Sequence, residues 1–344
     1  MLMATAGFAA LATIGGRRLL RRASQSSDSG PSEAQYDVEQ ASDGRFAVRR
    51  RSTALGSQVA ITAIHEQLET AIHAIDSAFV EIDRVESVMS IYRTDSQLSR
   101  LNRDGRLDRS DPSLVEVLRH AAATSEASDG AFDVTVQPLW QLYADAQRQG
   151  NLPTDDAIAQ ARRLIDWRRV TITDERIELT GKQSAVTLNG IAQGYAADRA
   201  LAMVRSAGVA DALIDTGEFA PLGANRNGDR WAIGIQHPRD PQALVAVSKL
   251  ERRCLATSGD YAITFTDDRR FNHLFDPQTG QSPQGLASVS ILAPTALQAD
   301  ALSTACFVLG LERARTLIES LEGVDAYFIP TSGESVATAG FEFA

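Results

Sequence analysis

Two residues with an evident capacity for chemistry, Asp300 and Thr304, lie four positions apart in an otherwise apolar stretch. On a helix, side chains at this spacing share one face, with their Cβ atoms about 5–6 Å apart. A buried carboxylate is unfavourable unless it meets a cation or hydrogen-bond donors. Either both residues are oxygen ligands of Mg²⁺, or Asp300 pairs with an arginine and Thr304 bonds back to a carbonyl. The pair alone favours the second interpretation.

The stretch 293–310 that carries this pair has the pattern of a helix following a buried strand. Pro294 suits the start of the helix and Gly310 its end, and the interior is rich in Ala and Leu. A second strand-to-helix transition lies at 185–208, where a glycine-containing turn, 189–194, opens the helix. Such a turn at a helix start is a plausible cradle for a phosphate group.

The rest of the chain supplies further elements for these two helices to pack against. Runs 46–51 and 58–64 predict a hairpin, apolar spacing from Leu68 to Met89 predicts a helix, and Asp111-Pro112 predicts the start of another. The predicted strands are 170–172, 177–179, 185–188, 212–214, 231–236, 244–250, 253–256, 287–292, 327–329 and 336–338. Because turns join most strands of the second half, the pattern predicts an α+β fold with antiparallel or mixed sheets and flanking helices.

Composition excludes some classes of protein. The chain has 344 residues, 44% of them hydrophobic and 23% charged, which is enough for a sizeable core. Its formal net charge is -10, with basic residues concentrated in the first 51 positions, so a nucleic-acid partner for the folded part is not expected. The two cysteines, Cys254 and Cys306, lie in apolar runs and predict buried free thiols rather than a disulfide.

The N-terminus predicts export. Residues 1–15 are apolar and arginines follow at 17, 18, 21 and 22, which resembles the hydrophobic region of a signal peptide, with the twin-arginine kind as one option. A non-cleaved membrane anchor or a frayed tail fits the same residues. We therefore expect a signal-like or anchor segment at 1–23, a disordered linker at 24–44, one folded domain at 45–344, and a periplasmic location.

Several segments together resemble the ApbE-like family of FAD:protein FMN transferases. They are Met89-Ser-Ile-Tyr-Arg-Thr-Asp-Ser-Gln-Leu-Ser99, Gly130-Ala-Phe-Asp-Val-Thr-Val136, Asn189-Gly-Ile-Ala-Gln-Gly-Tyr-Ala-Ala-Asp198, Ala256-Thr-Ser-Gly-Asp-Tyr261, His273-Leu-Phe-Asp-Pro-Gln-Thr-Gly280 and the helix with Asp300. The similarity runs from about residue 53 to 340, and an ordered set is far more specific than one motif.

The resemblance implies a single domain with a flavin site between two lobes and a Mg²⁺-dependent reaction. A Thr or Ser hydroxyl of a target flavoprotein attacks the FMN-side phosphorus of FAD, and AMP leaves. It places Asp300 and Thr304 at the metal-ligand positions, with a backbone carbonyl of the turn, that of Gly190, as the third ligand. This context favours the metal interpretation of the pair.

For proton handling the resemblance points to His273 and Asp276. His273, expected in a strand, contacts the flavin diphosphate or the incoming hydroxyl, or is a packed core histidine. Asp276 is the second candidate base, or it caps the turn that Pro277 begins. The sequence does not decide which of the two takes the proton.

The expected flavin contacts each have a structural alternative. Met89 and Tyr92 match positions at the isoalloxazine ring or its rim, although Met89 also continues an apolar stripe. Asp133 could accept hydrogen bonds from ribose or adenine, and the neighbouring Phe132 fits the flavin site or the core. The same holds for Asp198, which fits adenine or the start of its helix, and for Ser258, which fits the ribityl chain or a turn.

The chain departs from the family pattern at Gln193, where a lysine usually meets phosphate. FAD binding should therefore depend less on charge and on salt. Glu218 also follows one glycine, Gly217, where two are common. These departures resemble a branch associated with nitrous oxide respiration, whose target is a membrane flavoprotein. A non-catalytic periplasmic FAD carrier and a Mg²⁺-dependent FAD pyrophosphatase remain as alternative functions.

Overall fold

A nine-stranded sheet is the centre of the fold in the computed structural model, which describes residues 35–40 and 43–344. Its strands, in spatial order, are β1 (Tyr36–Gln40), β2 (Phe46–Ala54), β3 (Ser57–His65), β7 (Asp211–Asp215), β8 (Phe219–Leu222), β11 (Cys254–Gly259), β12 (Leu286–Ala293), β13 (Asp325–Pro330) and β14 (Val336–Ala337). Every pairing within it is antiparallel. Two small antiparallel sheets accompany it, β9 (Trp231–His237) with β10 (Asp240–Leu250), and β4 (Arg106–Asp108), β6 (Arg176–Leu179) and β5 (Val170–Ile172).

Eight helices complete the described part of the chain. They are α1 (Leu68–Met89), α2 (Gln97–Asp104), α3 (Pro112–Ala127), α4 (Gln137–Arg148), α5 (Asp155–Arg162), α6 (Ala192–Ser206), α7 (Ala296–Leu309) and α8 (Leu311–Glu319). Short 3-10 turns lie at Val134–Val136 and Trp167–Arg169. This mixture of antiparallel sheets and flanking helices confirms the predicted α+β class.

The large sheet is covered on both faces. Helices α1 and α6 pack together and bury apolar side chains of β2, β3 and β7 in the largest core cluster, which includes Ile61, Ile75 and Ala197. On the opposite face, the hairpin of β9 and β10 packs its apolar side chains, Ile233 among them, against Leu255 of β11. Because both faces are covered, β12 is buried over all eight of its residues.

Most of the predicted elements occur close to the expected bounds. Asp111 caps α3 through the Ser113 amide, as predicted, and Ser96 caps α2 by accepting a hydrogen bond from the Ser99 amide. The hairpin of β2 and β3 forms with the expected pairing. Thr295, one residue after the predicted start, is the N-cap of α7, and Gly310 ends that helix at a positive φ of 74°.

Three predictions of local structure were wrong. Residues 185–188 form no strand, because the side-chain amide of Asn102 satisfies both backbone groups of Val186 as a neighbouring strand would, at 2.8 and 2.7 Å. His273 lies in a loop between β11 and β12 rather than in a strand. Part of the predicted disordered linker forms β1, which pairs along β2 and whose Tyr36 hydroxyl donates to Asp76 at 2.5 Å.

Strands β4 and β8 were not predicted at all. Both are short, and β8 contains Pro221, which removes one backbone donor from a strand. The signal-like segment 1–23 and residues 24–34 of the linker lie outside the described residues. Within residues 35–40 and 43–344, no helix is both long and apolar enough to cross a membrane.

Candidate active site

Helix α7 carries the predicted metal ligands on its buried face, against α6 and β11. Asp300 is 4% exposed, and its Oδ2 accepts a hydrogen bond from the Gly194 amide at 2.9 Å. This is the carboxylate's only hydrogen bond within the described residues, and no arginine pairs with it there. The arginine-pair interpretation of Asp300 is therefore excluded.

The two helices approach each other closely because Gly194 has no side chain. A Cβ at this position would lie 2.2 Å from the Ala296 carbonyl oxygen. The contact works in both directions, since Asp198 of α6 accepts hydrogen bonds from the Ala296 and Leu297 amides, each at 2.9 Å. Each helix thus supplies a carboxylate to the unsatisfied amides at the start of the other.

Thr304 lies one turn after Asp300 and faces the turn before α6. A Cβ on Gly190 would be 2.9 Å from the Thr304 hydroxyl and 3.6 Å from the Phe132 ring. Thr304 also contacts the Ser258 hydroxyl at 3.3 Å, and Ser258 in turn bonds Ser303 at 2.7 Å. The predicted residues Gly190, Phe132, Ser258 and Thr304 are therefore brought together, and Thr304 does not bond back to its own helix.

Electrostatics distinguish this wall from ordinary core. Burial raises the pKa of Asp300 to about 7, opposed by the Gly194 hydrogen bond and increased further by the charge of Asp198. Glu218, just before β8, is also buried, and burial together with the Asp300 charge raises its pKa well above the ordinary value. We singled out Glu218 only as a departure from a motif, and its place beside Asp300 was not predicted.

The loop between β11 and β12 carries His273, and the next residue, Leu274, packs in the apolar cluster that includes Leu302 of α7. Its Nδ1 lies 3.2 Å from the Ile263 carbonyl oxygen. Because a carbonyl oxygen only accepts, Nδ1 carries the proton in this contact and Nε2 keeps its lone pair. Burial lowers the pKa of His273 to about 4, opposed by the Ile263 hydrogen bond and the Asp260 charge, so the ring is neutral at physiological pH.

Asp260, for which no role was predicted, directly follows β11, and its charge acts on His273 in this loop. It is buried, and Arg239 at the tip of the β9–β10 hairpin binds it with two hydrogen bonds of 2.6 and 2.7 Å. Its neighbour Tyr261 has a pKa raised to about 12 by burial, with smaller contributions that include the Asp260 and Glu218 charges. The available signal was an acidic residue directly after the Thr-Ser-Gly turn.

Asp276 uses its carboxylate within its own turn. Oδ1 accepts from the Gln278 amide at 2.8 Å, and Oδ2 accepts from the Thr279 hydroxyl at 3.1 Å. The structure therefore supports the capping interpretation of Asp276.

Gln193 is also held by its own surroundings. Its side-chain amide donates to the Thr216 carbonyl at 2.8 Å and to the Ser57 hydroxyl at 3.0 Å. A phosphate contact would require this side chain to give up these bonds. The predicted role of Gln193 in binding FAD stays a prediction.

Asp133 is fully hydrogen-bonded too. Oδ1 accepts from the Thr135 amide at 2.7 Å and hydroxyl at 2.6 Å, and Oδ2 accepts from the Trp167 amide at 3.1 Å. The two remaining flavin candidates differ in exposure, since Met89 is buried in the main core whereas Tyr92 is 64% exposed. Met89 thus occupies its apolar stripe, and Tyr92 is available to a ligand.

A separate groove of about 610 Å³ runs along α3, lined by Glu116, Arg119 and His120 among others. None of the predicted site residues lines it, so it carries none of the predicted chemistry.

The comparisons with known proteins agree with these motifs. Residues 55–328 match the profile of the ApbE family. The chain belongs to the ApbE family. Among its relatives, the FAD:protein FMN transferase of Haemophilus influenzae is 32% identical over 273 residues, covering 75% of this chain and 77% of that one. The FAD:protein FMN transferase of Escherichia coli K12 is 30% identical over 270 residues, with the same two coverages.

Solved structures of ApbE proteins share the fold. The ApbE protein of Thermotoga maritima superposes with a TM-score of 0.77 at 27% identity, covering 89% of this chain and 97% of that chain. Flavin transferase ApbE from Vibrio cholerae gives a TM-score of 0.75 at 25% identity, covering 88% and 98%. The single-domain ApbE architecture is thus present over nearly all of the described chain.

A divalent cation fits the wall that α7 forms in this ApbE protein. Residues 35–40 and 43–344 contain no group of three or more His, Cys, Asp or Glu side chains suited to a metal. The residues that would hold Mg²⁺ are instead the Asp300 carboxylate, the Thr304 hydroxyl and the Gly190 carbonyl, which are the hard oxygen donors that this ion prefers. Asp300 is buried with one hydrogen bond, which is the condition a bound cation would relieve.

Proposed function

We propose that this ApbE protein transfers the FMN moiety of FAD onto a Thr or Ser hydroxyl of a target flavoprotein. The observation that carries the proposal is the wall of Asp300, Thr304 and Gly190, together with the neutral His273 of a loop whose Leu274 packs in an apolar cluster with α7. The family membership and the names of the relatives support it. The chain is accordingly a flavin transferase, with FAD as its substrate.

The reaction is a displacement at phosphorus. The acceptor oxygen forms a bond to the FMN-side phosphorus of FAD while the bond from that phosphorus to the bridging oxygen breaks. AMP leaves with that oxygen, and the flavin ends as a phosphoester of the protein. When bound, Mg²⁺ would neutralise charge on the diphosphate, held there by Asp300, Thr304 and Gly190.

The proton of the attacking hydroxyl goes to His273 in this mechanism. Its Nε2 has a lone pair and makes no hydrogen bond within the described residues, whereas both oxygens of Asp276 are used in its turn. Arg239 acts through Asp260 as a positioning residue for the same loop. The geometry therefore favours His273 over Asp276 as the base.

We extend the proposal to location and partner on the basis of sequence. The signal-like segment 1–23 supports export to the periplasm, and the departures at Gln193 and Glu218 support a membrane flavoprotein as target. The acceptor would then present a Thr or Ser hydroxyl on the outer side of the membrane.

The decisive experiment uses the full chain with FAD, Mg²⁺ and a panel of flavoprotein domains that carry an exposed Thr or Ser. A transferase yields flavin fluorescence on the acceptor after denaturation and one AMP per flavin, and an Ala variant of the acceptor residue abolishes both. Free FMN with AMP would indicate a pyrophosphatase instead. Binding of FAD without release of AMP would indicate a carrier.

The histidine assignment has its own test. The exchange His273→Asn keeps a side-chain donor near the Ile263 carbonyl but removes the base. We therefore expect the transfer rate to fall by about a hundredfold or more. The matched control is Asp276→Asn, which retains an acceptor for the Gln278 amide and should lose less than about tenfold. The reverse order of the two effects would contradict the assignment.

A further inference from the structure

Glu218 is a buried carboxylate for which the described residues supply too few partners. The residue is 7% exposed, and its Oε2 is buried without any hydrogen-bond partner within the described residues. The Thr257 backbone amide is the one donor that favours its charged form. Leaving a buried acceptor unpaired costs about 1–3 kcal/mol, and more for a charged group. An orphaned oxygen of this kind points to a group that is absent from the polypeptide itself.

The neighbour of Glu218 makes this arrangement still less favourable. Asp300, also buried, acts on Glu218 through its charge, and Asp215 adds a smaller contribution of the same sign. No Lys or Arg of the described residues forms a hydrogen bond or an ion pair with Glu218 or Asp300. Two buried carboxylates that interact in this way require either a shared proton or a cation between them.

The chain holds Glu218 in this position with a built turn. The Gln193 side chain donates to the Thr216 carbonyl at 2.8 Å, and the Thr216 hydroxyl donates back to the Gln193 carbonyl at 3.0 Å. Gly217, between Thr216 and Glu218 in the sequence, has a φ of +102°, and a Cβ there would be 3.1 Å from the side-chain amide nitrogen of Gln193. These contacts fix the backbone that leads into Glu218. The arrangement also explains what the Gln193 side chain does in this structure.

We propose that Glu218 is the second carboxylate of the cation site, so that a divalent cation is held between Glu218 and the α7 wall of Asp300 and Thr304. Two carboxylates and a hydroxyl form a hard donor set suited to Mg²⁺ or Mn²⁺. The inference deepens the proposed function, on which the role of the cation in the reaction rests. The site itself rests on the orphaned oxygen and the two buried charges.

The test measures Mn²⁺ binding to the full chain without FAD or acceptor, by the electron paramagnetic resonance signal of free Mn²⁺. We expect Glu218→Gln to raise the Kd for Mn²⁺ by about tenfold or more. Thermal unfolding without metal checks that this variant folds, and its Tm should equal or exceed that of the wild type because a buried charge is removed. Added Mn²⁺ should raise the Tm of the wild type more than that of the variant.

The matched control is Asp215→Asn. It removes a nearby negative charge, but the Asp215 carboxylate is engaged by the Gly217 amide at 3.2 Å. We expect its Kd for Mn²⁺ to change by less than about threefold, since Asp215 would act on the cation only through its charge and not as a ligand.

Several outcomes would overturn the inference. An unchanged Kd in Glu218→Gln would show that Glu218 holds a proton rather than a cation. An equal rise of the Kd for Mn²⁺ in Glu218→Gln and Asp215→Asn would show that Glu218 acts on the cation only through its charge and not as a ligand. No Mn²⁺ binding by the wild type up to the millimolar range would also contradict the site. Because FAD and acceptor are absent, a protein that binds Mn²⁺ through Glu218 yet transfers no flavin contradicts the proposed function alone.

Discussion

Two sets of buried carboxylates in this protein differ in how completely they are hydrogen-bonded. Asp133 and Asp198 have both oxygens engaged by donors, mostly backbone amides at the starts of helical segments. Asp300 accepts one hydrogen bond, and Glu218 keeps one oxygen without a partner in the described part of the chain. The fold itself satisfies the carboxylates of the first set, whereas those of the second set are the ones that we propose to bind a divalent cation.

This difference in hydrogen bonding distinguishes structural carboxylates from candidate ligand-binding ones, which the motifs alone do not. Asp133, Asp198 and Asp300 all lie in segments that resemble the family's flavin and metal motifs. Burial raises the pKa of each of them, so the direction of the shift does not distinguish them. The number of hydrogen-bond donors around each carboxylate distinguishes them.

The largest expected effect comes from Asp300→Asn. The exchange removes the negative charge at position 300, while the asparagine side-chain oxygen can still accept a hydrogen bond from the Gly194 amide, so the fold should be retained. We expect the transfer rate to fall by about a thousandfold, a loss of about 4 kcal/mol of transition-state stabilisation. Steady-state kinetics and thermal unfolding of the same preparation measure both. Full activity of this variant would place Asp300 with the purely structural carboxylates.

The converse exchange is Asp198→Ala. It leaves the Ala296 and Leu297 amides at the start of α7 without their acceptor, so we expect the free energy of unfolding to fall by about 3 kcal/mol. Below its unfolding temperature the variant should still transfer flavin at a rate within about tenfold of the wild type. Urea unfolding and kinetics check the two parts. A stable but inactive variant would show that Asp198 contacts the substrate.

The pH dependence of stability gives a further distinction. Since burial raises the pKa of Asp300 to about 7 from its ordinary value of 3.8, the folded state binds more protons than the unfolded state between these values. The wild type should therefore lose stability as the pH rises from 4 to 7, relative to Asp300→Asn, by about 3 kcal/mol in total. Urea unfolding of both proteins with a chelator present measures this difference. Parallel curves would mean that Asp300 is not perturbed.

His273 is expected to act in the opposite sense over part of the same range. Its pKa, lowered by burial to about 4 from 6.5, makes the unfolded state bind more protons between those values, so stability rises with pH there. Taking the difference between wild type and Asp300→Asn cancels this contribution, because both proteins contain His273.

The smallest effect is expected from Gln193→Lys. The lysine restores the residue usual in the family but loses the hydrogen bonds to the Thr216 carbonyl and Ser57 hydroxyl. We expect the KM for FAD to change by no more than a few-fold and to become more sensitive to salt, since a point charge replaces neutral donors. KM measured at low and at high ionic strength tests this. An unchanged salt dependence would show that position 193 does not approach the diphosphate.

Much of the local structure and part of the site followed from the sequence alone. The periodicity from Leu68 to Met89, the cap of α3 and the end of α7 at Gly310 are local signals, and the structure confirms them. The shared face of Asp300 and Thr304 follows from helical geometry alone. The ordered set of motifs indicated the family, and the match of residues 55–328 to the ApbE profile confirms it.

Tertiary structure decided which of these residues are satisfied. The amides that engage Asp198, the Thr257 amide beside Glu218, and the arginine that binds Asp260 all come from distant segments. Sequence patterns report local propensity and burial, but the hydrogen-bond partners of a buried group depend on which elements pack together. For this reason the sequence determined α7 and the shared face of Asp300 and Thr304, and only the folded chain distinguished Asp300 and Glu218 from the capping carboxylates.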